Sequence, residues 1–444
     1  MKKRTVRKLR KKLSKPGLLE VAHDSFKKID DTISGRSFTL VDYLMSGLAV
    51  FSLKYPSLLA FDDSADNEKV CSNLKTLYRV CDVPSDSGLR KRLDELPPTT
   101  LRGAFKNLLS ELQRGKGLCG YEYIDGHYLL SVDGTGFFSS PTVHCDNCCE
   151  KRHRDGSVTY YHHMLCGAIV HPEHTEVFPF APEQILKTDG AKKNDCERNA
   201  AVRFIEDLRR EHPHLKLIVL EDALASNAPH IRHLVNNDLR FILGAKPGDH
   251  KHLFEQANSS ADTREVEIEG EDGIRHRFRY VNNVSLNASN AEVKVNFVEY
   301  KETRPGTRKN PESRTTSFSW VTDIELQEGN LMKIMRAGRA RWRIENETFN
   351  TLKNQGYNFE HNFGHGNKHL SGVFGNLMLL AFLIDQIEMR CCKLFLAALE
   401  KTKRLRNLRE MVRSFFVSMF IPSWEALYQS IAYGDKTELT PDTS

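Results

Sequence analysis

The sequence predicts an α/β protein: a mixed-sheet domain carrying a β-rich insertion, flanked by helical regions on both sides. Three observations lead there. Apolar residues recur at helical spacing through much of residues 20–116, and helical texture returns from Gln327 to about residue 433. From residue 121 to 247, strand-like runs alternate with amphipathic helical ones, the texture of a mixed-sheet α/β domain. Short alternating or β-rich runs, with Val266, Ile268, Phe278, Tyr280, Val293, Val295 and Phe297, then fill residues 248–325 between Gly and Asn punctuation. The length of 444 residues allows roughly two to four structural units. A composition of 40% hydrophobic and 27% charged residues is globular, not disordered.

Taken in order, the chain opens on a basic tail. Its first 15 residues hold nine basic residues (Lys2, Lys3, Arg4, Arg7, Lys8, Arg10, Lys11, Lys12, Lys15) and no acid, and the rest of the chain carries 55 basic against 58 acidic residues. Such a tail suits contact with a phosphate backbone, because each neutralised phosphate releases counterions; a solvated leader is the alternative. Residues 41–59 read as one apolar helix and 68–81 as another, with Val70, Leu74, Leu77 and Val80 at helical spacing. Val83-Pro84-Ser85 breaks the pattern, and Ser85 or Asp86 can cap a helix over 87–96 that carries Arg90, Lys91 and Arg92. Helix, short turn and basic second helix is the outline of a helix-turn-helix, whose second helix reads the major groove. Many surface helices are equally basic. Strands are expected over 128–133, 157–170, 176–179, 215–220 and 239–243, and helices over 194–210 and 227–235. Residues 303–316, polar and basic with Pro305, Gly306 and Pro311, read as a loop.

Several classes are disfavoured. The longest apolar stretch, residues 373–387, is 15 residues long and is interrupted by Gly375, Asn376 and Asp385. That is short of the ~20 a membrane span needs, and no membrane association is expected. No apolar stretch follows the N-terminal charges, so a secretory leader is not expected. The ten cysteines are then expected as free thiols in a reducing compartment.

Three carboxylates carry the chemistry. Asp133 is expected to end the strand over 128–133 and precedes Gly134-Thr135-Gly136; Asp222 follows the apolar run over 215–220. Functional groups in open α/β sheets collect at the carboxyl ends of strands, although an Asp there also caps turns. On a helix, Glu345 shares a face with Arg341, Trp342, Phe349 and Leu352, a half-apolar face expected to point inward. Glu347 shares its face with Ala340, Arg343, Thr351 and Asn354 and is expected to be the solvated one. An inward carboxylate is costly unless paired; Arg341 is one partner and a divalent cation another.

Asp133-Gly-Thr, Leu220-Glu-Asp222 and Arg341-Trp-Arg-Ile-Glu345 resemble the bacterial insertion-sequence DDE transposases, specifically the group with the Y-R-E-K signature. The resemblance covers roughly residues 121–365. It implies an RNase H-like core with the first Asp on the first strand, the second after the fourth strand and the Glu on a later helix. It also implies a β-rich insertion between the second Asp and the Glu, and here 122 residues lie between Asp222 and Glu345. The implied domains are a basic tail (1–19), a helical DNA-binding domain (20–116), the core in two parts (117–247 and 326–365), the insertion (248–325) and a helical C-terminal region (366–444). The signature's Tyr position holds Gly338 and its Lys position holds Leu352. Lys353 is adjacent but ~80° further round the helix. The family uses those two positions to grip phosphate, so here the role falls to Lys353 or Arg343, and His361, His365, Lys368 and His369 lie just downstream. Trp342 is expected in the core beside Phe349, with stacking on an unpaired base, worth ~1–3 kcal/mol, as the alternative.

The resemblance assigns Asp133, Asp222 and Glu345 as catalytic ligands of two Mg²⁺ (or Mn²⁺) ions. Asp133 would bridge both ions, and Asp222 and Glu345 would each favour one. Paired hard cations activate water and stabilise the leaving oxygen of a phosphodiester. The implied partners are double-stranded DNA, both element ends and target, and a second copy of the chain, in the bacterial cytoplasm at the nucleoid. Arg341, Trp342, Arg343, Lys353, Arg90, Lys91 and Arg92 are the expected DNA contacts. Two other classes stay open: a transposase-derived DNA-binding regulator without cleavage activity, and a zinc-dependent nucleic-acid-binding module.

The last class rests on a thiol-rich stretch. Cys145-x₂-Cys148 followed by His163-x₂-Cys166 has zinc-like spacing. Residues three apart on a strand face opposite ways, however, and His162 and Cys166 would stand ~13 Å apart. A loop set of His144, Cys145, Cys148, Cys149 and His153 is therefore the expected structural zinc site, against a thiol-rich turn without metal.

Overall fold

The computed structural model describes residues 11–31, 38–187, 196–270, 272–306, 312–434 and 440–441. Residues 1–10 of the basic tail lie outside these. The N-terminal helices are α1 (Lys15–Phe26), α2 (Leu40–Ser52), α3 (Leu58–Ser64), α4 (Glu68–Tyr78), α5 (Asp86–Leu93) and α6 (Arg102–Arg114). Thr39 and Asp42 form a reciprocal capping box at α2, and Ser85 caps α5 by accepting from Gly88 N–H. The single helix expected over 41–59 is two, because Lys54 turns left-handed at φ 60° just before Pro56. The left-handed Arg79 likewise ends α4 before Cys81.

The sheet elements follow as β1 (Glu122–Ile124), β2 (His127–Ser140), β3 (Cys149–Arg152), β4 (Val158–His171), β5 (His174–Pro179), β6 (Glu183–Ile185), α7 (Glu197–Glu211), β7 (Leu217–Glu221), α8 (Ala228–Asn236) and β8 (Arg240–Gly244). The segment read as an insertion contains α9 (Lys251–Ser259), β9 (Arg264–Glu269), β10 (Arg275–Asn287), β11 (Asn290–Arg304) and β12 (Arg314–Thr322). All of these strands belong to one twelve-stranded mixed sheet, whose main path runs β3-β4-β2-β7-β8-β12-β11-β10-β9. The β-rich segment is thus a continuation: β12 pairs antiparallel with β8, Trp320 opposite Gly244 and Thr322 opposite Ile242. β2 is antiparallel to β4 and parallel to β7, and β7 is parallel to β8. Asp133 does not end its strand. The ladder with β4 continues through Gly134 and Gly136 to Ser140, so Asp133 stands mid-strand.

Beyond the sheet come α10 (Glu328–Ala340), a π-helical segment (Ile344–Phe349), α11 (Asn350–Asn354), α12 (Leu370–Cys391), α13 (Lys393–Thr402), α14 (Leu405–Ser418), the short β13 (Met419–Phe420), α15 (Trp424–Tyr433) and β14 (Thr440–Pro441). α12 is long and apolar enough to cross a membrane by length and composition, longer than the 15-residue stretch suggested, and 94% of its apolar window is buried inside the protein. Leu377 of α12 packs on Gly47 of α2, where a Cβ would lie 2.8 Å from its methyl group. N- and C-terminal helices therefore form one layer. Asn73 donates to the carbonyls of Phe416 and Met419 and accepts from Ile421 N–H, and the Trp424 indole donates to the Leu77 carbonyl.

Lys15 departs most from expectation. Its side chain is 4% exposed, with Nζ 2.7 Å from Asp385 Oδ1 and 3.4 Å from Glu388. It is a core residue at the start of α1, not part of a free tail. Lys12 pairs with Glu111 at 3.3 Å.

His212, just past α7, has its ring against Phe180 at 5.3 Å, and Nε2 is buried with no partner among the described residues. Burial pushes its pKa down to about 4, helped by Lys106 and Arg102. A depressed histidine contributes stability that is full above its unfolded value and is lost as pH falls toward the folded one. The protein should therefore lose up to ~3 kcal/mol from this residue as pH drops from ~6.5 to ~4. Urea denaturation across that window checks it: His212→Phe should flatten this part of the profile, and an unchanged slope would exclude the residue.

Candidate active site and a cysteine–histidine cluster

The strand period of two puts Ser131 and Asp133 on one face of β2, and the Arg341 turn lies across that face. The Ser131 hydroxyl donates to the Arg341 carbonyl at 2.9 Å, and Arg341 Nη1 reaches Asp133 Oδ2 at 3.1 Å. The same Nη1 is 3.0 Å from Glu345 Oε1. Burial pushes Asp133 up to about 7; Arg341 opposes this and Glu345 adds to it. Two carboxylates from distant parts of the chain thus meet over one guanidinium.

Asp222 follows β7 and caps a short helical turn (Ala223–Ala225), accepting from Leu224 N–H at 2.9 Å. In the parallel β2–β7 ladder Ser131 stands opposite Leu220. That is the last pair of the ladder, and Asp222 lies two residues beyond it, just past the end of β7. Among the described residues no hydrogen bond joins the Asp222 carboxylate to Asp133 or Glu345.

Trp342 is 52% exposed while Phe349 is buried, so the tryptophan is not a core residue. The expected faces assumed a regular α-helix. The π-helical segment from Ile344 changes the angular step, so residues on its two sides no longer share a face. For the same reason Glu347 is not the more solvated carboxylate: its side chain is 33% exposed and that of Glu345 38%. Their partners separate them. Glu347 pairs with Arg343 at 3.2 Å, and Arg343 also donates to the Pro172 carbonyl. Trp342, Arg343 and Glu347 line a groove of about 600 Å³ whose opposite wall includes His276 and Arg304 of the β-rich segment.

The signature departures have physical causes. A Cβ on Gly338 would lie 2.4 Å from the Trp320 ring, so tryptophan on β12 fills the space a tyrosine would need. Leu352 is fully buried, and Lys353 pairs with Glu360 at 2.7 Å. Lys368 pairs with Glu95, and the His361 ring packs on Phe363.

In α5, Arg90 and Lys91 are exposed, Arg90 pairing with Asp86. Arg92 faces inward instead, buried beside Leu89 and Leu93 and bonded to Asp31. The guanidinium expected at the DNA is thus not presented at the surface of α5. Glu197 was not legible from sequence. It opens α7 with its carboxylate against Gly134, on the face of β2 opposite Asp133, and 3.5 Å from His163. Burial raises its pKa, with Asp222 and Glu221 contributing.

The second constellation could hold a metal ion. Ligand atoms of Cys145, Cys148, His162 and His365 all lie within 4.8 Å of one another. Only two of the five expected residues take part. His144 stacks on Tyr160 at 4.3 Å, the Cys149 thiol points to the Ile185 carbonyl at 3.4 Å, and His153 bonds the Thr159 hydroxyl at 2.8 Å. His162 comes from β4, and His365, expected near phosphate, comes from beyond α11. Cys166 is buried elsewhere on β4, opposite Asp133. A hydrogen bond between the two cluster thiols pulls the Cys145 pKa down and pushes that of Cys148 up.

A scan against protein-family models and a search of curated proteins both returned no match.

Proposed function

We propose that this chain is a DDE-type DNA transposase with an RNase H-like core, binding the ends of an insertion sequence, cleaving DNA and joining the freed 3′ ends to target DNA. The observation that carries this reading is the meeting of Asp133 and Glu345 over Arg341, with Asp222 following the end of the neighbouring strand β7. The donors are all carboxylate oxygens, the set that hard cations prefer. Asp133, Asp222 and Glu345 would hold Mg²⁺ or Mn²⁺, which when bound stabilises charge during displacement at phosphorus. Arg341 holds the carboxylates together and is a bidentate-capable donor for phosphate. Trp342 offers an exposed ring beside the groove for stacking on an unpaired base. Arg90 and Lys91 present positive charge from α5. Two copies would hold two element ends.

The test is nicking of a plasmid that carries the flanking inverted repeats. Cleavage at the ends, dependent on Mg²⁺ or Mn²⁺, is expected; tight end binding without cleavage would favour the regulator. The zinc-dependent binding module draws on the cysteine–histidine cluster, but it leaves the paired carboxylates without a role.

The basic tail contributes separately. Because Lys15 is buried, the segment to remove is residues 2–10, which hold six basic residues. Deletion should weaken binding to all DNA sequences and reduce the slope of log affinity against log salt by up to ~5, at ~0.9 for each phosphate no longer neutralised. An unchanged slope in filter-binding titrations would mean that the segment does not touch DNA.

A further inference from the structure

We propose that Cys145, Cys148, His162 and His365 bind one structural zinc ion that straps the segment after the Glu345 helix to the hairpin leaving the Asp133 strand. The distances fit the ion. With Zn–S of ~2.3 Å and Zn–N of ~2.0–2.1 Å, a tetrahedron has S···S edges of ~3.8 Å and S···N edges of ~3.6 Å. The observed S···S separation is 3.8 Å, three of the four S···N separations are 3.5, 3.4 and 3.3 Å, and every pair of ligand atoms lies within 4.8 Å. Two thiolates and two imidazoles complete a four-coordinate shell with no open position, the structural type of zinc site. Soft donors exclude Mg²⁺, so this ion is distinct from any at the carboxylates.

The backbone is shaped to deliver the fourth ligand. His365 sits between Gly364 at φ 123° and Gly366 at φ 67°, conformations open to glycine. A Cβ on Gly364 would lie 2.5 Å from Arg90, and one on Gly366 2.3 Å from Asp94. Asp94 then accepts from the N–H groups of Asn367, Lys368, His369 and Leu370, all within 3.0 Å. Burial works against the Asp94 charge, but these four donors hold its pKa below the ordinary carboxylate range. From the hairpin side, Asn147 donates to the Lys368 carbonyl at 2.6 Å. The segment is thus fastened by hydrogen bonds after His365 and by the cluster at His365. His162 stands opposite Phe138 on the ladder that pairs Asp133 with Cys166. One ion would therefore join the hairpin and strand β4, 14–17 residues apart, to the chain leaving Glu345, 217 residues beyond Cys148.

The decisive measurement is metal content of the full-length protein after mild chelation, independent of any DNA cleavage. About one zinc per chain is expected, with affinity lowered at least ~100-fold in His365→Ala and in Cys145→Ser/Cys148→Ser. His365→Cys, which keeps a ligand, should retain the ion. If the serine double variant does not fold, Co²⁺ exchanged into the wild type supplies a second readout: sulfur-to-cobalt charge-transfer absorption. In wild-type protein, strong chelation should raise amide exchange across residues 355–369. Absence of zinc and of a cobalt–thiolate band would overturn the site, and full zinc affinity in His365→Ala would overturn the strap. Neither result depends on whether the carboxylates cleave DNA, so the two readings fail separately.

Discussion

Asp133→Asn, Asp222→Asn and Glu345→Gln will each abolish DNA cleavage while leaving binding to the element ends largely intact. Each swap keeps the shape of the side chain and removes a charge. For Asp133 and Glu345 that charge also holds Arg341. The expected loss is at least ~10²–10³-fold in rate, the scale seen when one group placed on transition-state charge is removed. Glu347→Gln breaks only the pair with Arg343 and should be mild. Single-turnover cleavage of end-bearing DNA, alongside binding by gel shift, separates the outcomes. Full activity in any one of the three variants would remove that residue from the site. A dead Glu347→Gln beside an active Glu345→Gln would move the assignment two residues along the chain.

Much of this site was legible because its parts obey local rules. The apolar run over 215–220 announced β7, and Asp222 follows it directly; Arg341 and Glu345 lie one helical turn apart and do meet. What the sequence hid came from non-local causes. β2 runs on past Asp133 because its ladder with β4 stabilises Gly134 and Gly136, residues that locally read as a turn. The π-helical segment spoiled an angular argument that assumed a constant step per residue, so Trp342 turned outward. His365 could not be joined to Cys145 and Cys148 by spacing, since ligand-spacing rules describe ligands on one short segment and this one lies 217 residues beyond Cys148.

The basic tail shows the same limit in its charges. Composition groups Lys15 with its eight basic neighbours upstream, yet the fold buries it, and the partner that makes this tolerable is Asp385 on α12. Lys54 Nζ reaches the other carboxylate oxygen at 2.9 Å, Tyr357 donates its hydroxyl at 2.6 Å, and Arg409 stands 3.6 Å away. Burial opposes the Asp385 charge, and Lys15, Lys54 and Arg409 override it, holding the carboxyl far below the ordinary range. Stability from this group is present above its unfolded pKa and is lost only as pH falls through the folded one, so it does not vary between pH 5 and pH 8. Asp385→Ala strands the buried Lys54 ammonium, leaves Lys15 only its longer contact with Glu388, and should cost ~3–5 kcal/mol, the penalty for breaking a buried pair from one side. Adding Lys15→Met and Lys54→Met should recover part of that loss, because it removes the desolvation cost of the two ammonium groups along with the attraction, while Glu388, Arg409 and Tyr357 stay in place. Urea denaturation of the single and triple variants measures both steps. A loss below ~1 kcal/mol in Asp385→Ala, the scale of an exposed pair, would mean that the network does not hold α1, α2 and α12 together.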